Sequence, residues 1–128
     1  MDWEILNIEN NFRSGIDIPK ESEFSYHIVV SDNEVLSIAG VHPWRPLDQD
    51  EWRWLGLDAE SEHFLGDVDG VPIYACQVDP DADHPEGYEF ETLYSFLGQV
   101  EEPVFNLIGR AKQVIDWYRN HQYCGVCG

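Results

Sequence analysis

At 128 residues the chain has room for one domain with a single core, and 43% hydrophobic residues with seventeen aromatics argue for a folded protein rather than a disordered acidic tail. Its 25 acidic and 7 basic side chains give a formal net charge of −18, which repels nucleic-acid phosphates and anionic membrane alike. No apolar run approaches the roughly 18 residues of a membrane span. The acidic start MDWEILNIEN lacks a secretory pattern, and three cysteines, an odd number, favour a reducing cytoplasm over a disulfide framework.

The charge is unevenly placed. Residues 1–102 hold 24 acidic and 4 basic side chains, a net of −20, whereas residues 103–128 hold 1 acidic and 3 basic, a net of +2. The plain reading is a solubilising face. Direct binding of nucleic acid by this acidic domain is disfavoured.

In chain order, residues 1–25 mix isolated apolar residues with Asn, Gly and Pro and fit an edge strand or a short helix. Tyr26 to Val30 and Val35 to Ile38 are β-rich runs separated by Ser-Asp-Asn-Glu, a hairpin by composition. Gly40 to Pro46 is a loop. Asp48 to Leu57 fits a short helix, although its spacing matches neither period cleanly; Trp52 and Trp54 are read as core in preference to a ligand-stacking cage. Phe64 to Asp67 and Val71 to Val78 form the best hairpin, turning at Asp69-Gly70, with Cys76 a small buried hydrophobe on its second strand. Asp79 to Gly87 is acidic and turn-rich, but a calcium loop would need glycine at His84 and glutamate at Phe90. Tyr88 to Val100 reads as a short strand followed by a turn or short helix.

The strongest periodicity comes last. Val104, Leu107, Ile108, Ala111, Ile115 and Tyr118 follow the i, i+3, i+4, i+7 template of one buried helical face. Pro103 suits a first helical turn, and Glu101 and Glu102 suit its positive end. Gly109 costs about 1 kcal/mol against alanine inside a helix, so a close approach by a neighbouring element is expected there. The helix delivers Cys124 and Cys127, which have the spacing of one side of a tetrahedral zinc, with Gly125 and Gly128 supplying a tight backbone. A structural site needs four ligands, and the sequence holds no second Cys-x-x-Cys. Free thiols or a redox pair are the alternatives; a redox pair normally opens a helix instead of following one.

The run from Leu107 through Trp-Tyr-Arg-Asn-His-Gln-Tyr-Cys-Gly-Val-Cys-Gly to Gly128 resembles the junction in NADH pyrophosphatases of the Nudix superfamily. More loosely, Phe64-Leu65-Gly66 with Asp69 to Tyr74 is similar to that family's strand–turn–strand signature, and His27 to Ile38 to its first hairpin. The resemblance implies an N-terminal domain over residues 1–120 and the first knuckle of a zinc ribbon over 121–128. The fold expected is α+β, an antiparallel sheet with a long C-terminal helix. It further implies structural Zn²⁺ on Cys124 and Cys127, with His121 not a ligand, and a catalytic Nudix domain beyond Gly128 using Mg²⁺ or Mn²⁺ to split NADH into NMNH and AMP, with NAD-capped RNA a further substrate. A homodimer is expected on the same ground.

A Nudix site gathers glutamates on one helix so that metal can neutralise phosphate charge and activate water. In this sequence Glu101-Glu102 is the only Glu-Glu pair, and it precedes a proline. No catalytic residue is assigned. Where the resembled family has a basic residue before the long helix, this chain has Tyr94, its candidate for substrate contact; a packed tyrosine is the alternative. The functional expectation is a non-catalytic domain with a scaffolding, dimerising or pocket-lining role, cut through its ribbon at Gly128. The rival is a free-standing acidic interaction module whose Cys124/Cys127 pair completes a zinc site with a partner chain.

Overall fold

A computed structural model describes residues 12–14, 24–41, 44–68, 70–79 and 86–127, with the backbone alone at 12–14 and 121–127. The elements run β1 (Phe12–Ser14), β2 (Tyr26–Ser31), β3 (Glu34–Ile38), β4 (Leu47–Asp48), α1 (Gln49–Leu55), β5 (Ala59–Val68), β6 (Val71–Val78), β7 (Tyr88–Thr92), a 3-10 turn (Leu93–Phe96) and α2 (Glu102–Cys127). Six strands lie in the order β1-β5-β6-β2-β3-β7, and β4 pairs the start of β2. The α+β class is as expected. The sheet itself is mixed, because β2 runs parallel to β6 while the other ladders are antiparallel.

Both expected hairpins are present. The first turns between Ser31 and Glu34, where Asp32 takes a φ of 54°, a left-handed conformation that Asp tolerates better than most residues. The second pairs Val68 with Val71, and Gly70, at φ 82°, donates its N–H to the Asp67 carboxylate at 2.9 Å. Strand β5 begins at Ala59, earlier than the sequence suggests. Register shifts between Ala59 and Ser61 and between Phe64 and Gly66 break the alternation that marks a strand.

Helix α1 is set by its ends. Asp48 accepts the Glu51 N–H at 2.8 Å while the Glu51 side chain accepts the Asp48 N–H at 3.0 Å, a complete capping box, and Gly56 closes the helix at φ 64°. Arg45 grips the same Glu51 carboxylate through two bonds of 2.7 and 2.9 Å. Burial pushes that carboxyl upward, but the bonds from Arg45 and the Asp48 backbone outweigh it and hold the group below its ordinary value.

Strand alternation sorts the interior into two layers. Tyr26, Ile28 and Val30 of β2 and Val71, Ile73 and Ala75 of β6 join Leu107, Ile108, Ala111 and Ile115 of α2 in the larger cluster. Val29, Leu36, Leu47, Leu55 and Val78 form the smaller one, on the side covered by α1. Trp44 reaches into the larger cluster, where its indole N–H donates to the Leu36 carbonyl at 3.1 Å and its ring meets Phe96 edge-on. Strand β1 is the edge strand allowed for in the first 25 residues; the rest of that segment before residue 24, the acidic loop at 80–85 and residues 42–43 lie outside the described residues.

Two expectations for α2 are corrected. The helix continues through both terminal cysteines to Cys127 instead of ending before them. Among the described residues Gly109 has no close neighbour, since a methyl group in place of its hydrogen would meet nothing within 4 Å. Among the described residues no helix is long and apolar enough to cross a membrane. Because Gly109 has ordinary helical geometry and open space, Gly109→Ala should stabilise the fold by about 0.5–1 kcal/mol and raise the melting temperature by a few degrees. Thermal and urea unfolding would show this, and an unchanged or lower midpoint would refute it.

Candidate functional site

The α1 side of the sheet is covered by a helix of seven residues, too short to cover the whole face. The part that no described residue covers is a cleft of about 390 Å³, whose lining includes His27, Trp52, Arg53, Glu62 and Tyr74. Strand register assembles its floor and the buried layer directly behind it, where Cys76 lies. In the parallel ladder His27 lies opposite Tyr74 and Val29 opposite Cys76; in the antiparallel ladder Glu62 faces Cys76 and Phe64 faces Tyr74. Period-2 alternation then sends His27, Glu62, Tyr74 and Cys76 to one face, away from α2.

His27 is the centre of this floor, only 7% exposed. Its ring lies between Trp52 and Tyr74, with centroids 5.7 and 5.5 Å away and planes inclined by 16° in each case. Nε2 is 2.8 Å from Ser25 Oγ, and Nδ1 is 3.6 Å from Cys76 Sγ. One ring nitrogen donates and the other accepts, so both bonds are made by a neutral imidazole. Burial lowers the His27 pKa to about 4, with the Asp48 carboxylate opposing the shift and Arg53 adding to it. Cys76, fully buried, has its thiol 3.7 Å from Glu62 Oε1. Burial, and then the Glu62 charge, push the thiol pKa up. Such a thiol is inert as a free nucleophile. The Tyr74 phenol is likewise raised, by burial first and Glu62 second.

Sequence reasoning did not single out this group. Cys76 was expected as a buried hydrophobe, and it is buried, but it has polar neighbours. Trp52 is half-buried, packed against the smaller core cluster as well as walling the cleft, whereas Trp54 is 71% exposed, so the core reading is corrected for Trp54: α1 turns Leu55 inward and leaves Trp54 on the solvent side. Tyr94 is 80% exposed in the 3-10 turn, neither packed nor in the cleft. The Cys124 and Cys127 side chains lie outside the described residues. Their backbone is helical, without the turn that a zinc knuckle makes between its cysteines.

The desolvated histidine couples stability to pH. Between pH 6.5 and about 4 the unfolded chain takes up a proton that folded His27 refuses, so this contribution is present above 6.5 and lost as pH falls toward 4. The loss is on the order of 3 kcal/mol. Urea unfolding across that range, with a chelator present, should show a shallower pH dependence for His27→Gln than for the parent; parallel curves would contradict the assignment.

The family model for the NADH pyrophosphatase-like rudimentary Nudix domain matches residues 25–117. The chain is 39% identical over 74 residues to the NAD-capped RNA hydrolase NudC of Stutzerimonas stutzeri (strain A1501), covering 58% of this chain and 26% of the relative. It is 37% identical over 76 residues to the NAD-capped RNA hydrolase NudC of Pseudomonas syringae pv. tomato, covering 59% and 27%. The chain thus spans about a quarter of the length of these curated relatives. With strands β2 to β7, His27, Glu62, Tyr74 and Cys76, and the lower part of α2 inside the matched range, the chain belongs to the family of NADH pyrophosphatase-like rudimentary Nudix domains.

Proposed function

We propose that this chain is the non-catalytic N-terminal domain of a cytoplasmic NAD(H) diphosphatase, an enzyme that hydrolyses the pyrophosphate of NADH to NMNH and AMP and acts on NAD-capped RNA as well. The observation that carries this reading is the family match over residues 25–117, joined to relatives named as NAD-capped RNA hydrolases of which the chain spans about a quarter. The chemistry of the sequence agrees: no glutamate array able to hold the Mg²⁺ or Mn²⁺ of phosphoanhydride cleavage occurs in residues 1–128. Those ions belong to a Nudix domain supplied from outside this stretch. The role of the present domain is to scaffold that unit, to pair two copies into a homodimer, or to bound the substrate pocket.

Cys124 and Cys127 supply half of a structural zinc site in this scheme, and the other two ligands come from the missing half of the ribbon. Closing the site unwinds the last turn of α2. Structural zinc contributes on the order of 10 kcal/mol or more, while Gly125 already weakens that turn by about 1 kcal/mol. Metal binding therefore outweighs the helix.

Residues 1–128 alone should give no turnover of NADH or NAD-capped RNA above a blank with either metal, whereas the product of the intact gene should cleave NADH. Turnover by the 128 residues, or an intact product inert toward both substrates, would overturn the reading.

A further inference from the structure

We propose that His27 and Glu62, which line the cleft, and Cys76, buried behind them, form a metal site for zinc or a zinc-like divalent ion, made of residues other than the terminal Cys-x-x-Cys. The three side chains come from β2, β5 and β6, and one donor atom from each lies within 4.8 Å of the other two. A tetrahedral zinc with bonds of about 2.0–2.3 Å sets its donor atoms roughly 3.3–3.7 Å apart. The observed spacings are 3.6 Å from Sγ to Nδ1 and 3.7 Å from Sγ to Oε1. Only a small movement is needed, and Glu62, exposed at the cleft rim, is free to make it.

Four further features suit a metal. The donor set of imidazole, carboxylate and thiolate is one that zinc accepts, and three protein ligands leave a fourth position for water from the cleft. Ser25 Oγ, 2.8 Å from Nε2, can accept that N–H and so leave the Nδ1 lone pair directed at Cys76, the arrangement found behind metal-bound histidines. Charge balances as well: a dication, one thiolate and the Glu62 carboxylate sum to zero, which removes the cost of leaving a net charge against a buried floor. The thiol proton is released to solvent as the metal–sulfur bond forms, and no other reactant is required. Finally, the cleft provides the path of entry. This assignment does not rest on the hydrolase reading, and it stands or falls by metal binding alone.

The test uses Cys124→Ser/Cys127→Ser protein, in which Cys76 is the sole remaining cysteine. Titrating the chelator-treated protein with Co²⁺ should give one equivalent of binding, with a thiolate-to-cobalt charge-transfer band and the visible bands of a tetrahedral ion. Zn²⁺ should displace the cobalt and bleach both. Adding Cys76→Ala should abolish the charge-transfer band, and adding Glu62→Gln should weaken binding at least about tenfold. Glu62 is exposed, so this second variant keeps the test valid even where a core change at Cys76 disturbs folding, which circular dichroism reports. Absence of a charge-transfer band in the folded double variant would overturn the proposal, and so would affinity unchanged by Glu62→Gln.

Discussion

Burial of β2 on both faces is the constraint from which the rest of the molecule follows. All six of its residues are buried. Its edges are occupied too, by β6 on one side and by β4 and then β3 on the other. A strand covered on both faces must place some side chains in each layer. The odd layer of an otherwise apolar run is where chemistry enters: Ile28 and Val30 meet α2, whereas His27 meets Trp52, Tyr74 and Cys76. Had β2 been an edge strand, His27 would be solvated and its neighbours unremarkable. In the centre it is desolvated, so its proton is lost and its two ring nitrogens must both find partners.

The two layers differ in strength. Helix α2 presents four fully or nearly fully buried residues in succession and covers its face of the sheet, with Tyr118 meeting His63 edge-on at 4.8 Å. On the other face a seven-residue helix relies on its caps more than on its area. Nucleating so short a helix is unfavourable in isolation. The Asp48–Glu51 box and the Arg45 clamp on Glu51 offset that cost locally. The result is an economical layer, and among the described residues nothing covers the part of the sheet that forms the cleft.

The sequence discloses which side chains share a face far better than it discloses which strands are neighbours. β-rich composition at 26–30 and 71–78, with the turn residues beside each run, is sufficient for both hairpins, and the 3.6 period of 104–118 for the long helix. Alternation says nothing about partners, so the parallel pairing of β2 with β6 was not readable, and neither was the meeting of positions 27, 62 and 76, which depends wholly on register. The α1 helix had a readable signal that periodicity obscured: Asp48-x-x-Glu51 in front and Gly56 behind. Trp54 shows the opposite failure. Its size argues for burial, yet on a helix with only one inward-facing stripe a large residue at the wrong phase stays outside.

The end of α2 links the fold to the proposed role. Ile115 is its last fully buried residue among those described; beyond it Trp117 is 59% exposed, and Arg119 makes only an exposed pair with Asp32 at 3.7 Å. An exposed pair of this kind contributes at most about 1 kcal/mol. The family match also stops at residue 117, so the boundary set by homology and the boundary set by burial coincide. From there the helix continues to Cys127, with Tyr118 set against His63 and residues 119 and 120 exposed. Gly125 lowers the intrinsic helix propensity of that end by about 1 kcal/mol relative to alanine. A helix end so weakened suits the connector role proposed above, in which it yields to a metal or to a neighbouring domain while the sheet behind it stays fixed.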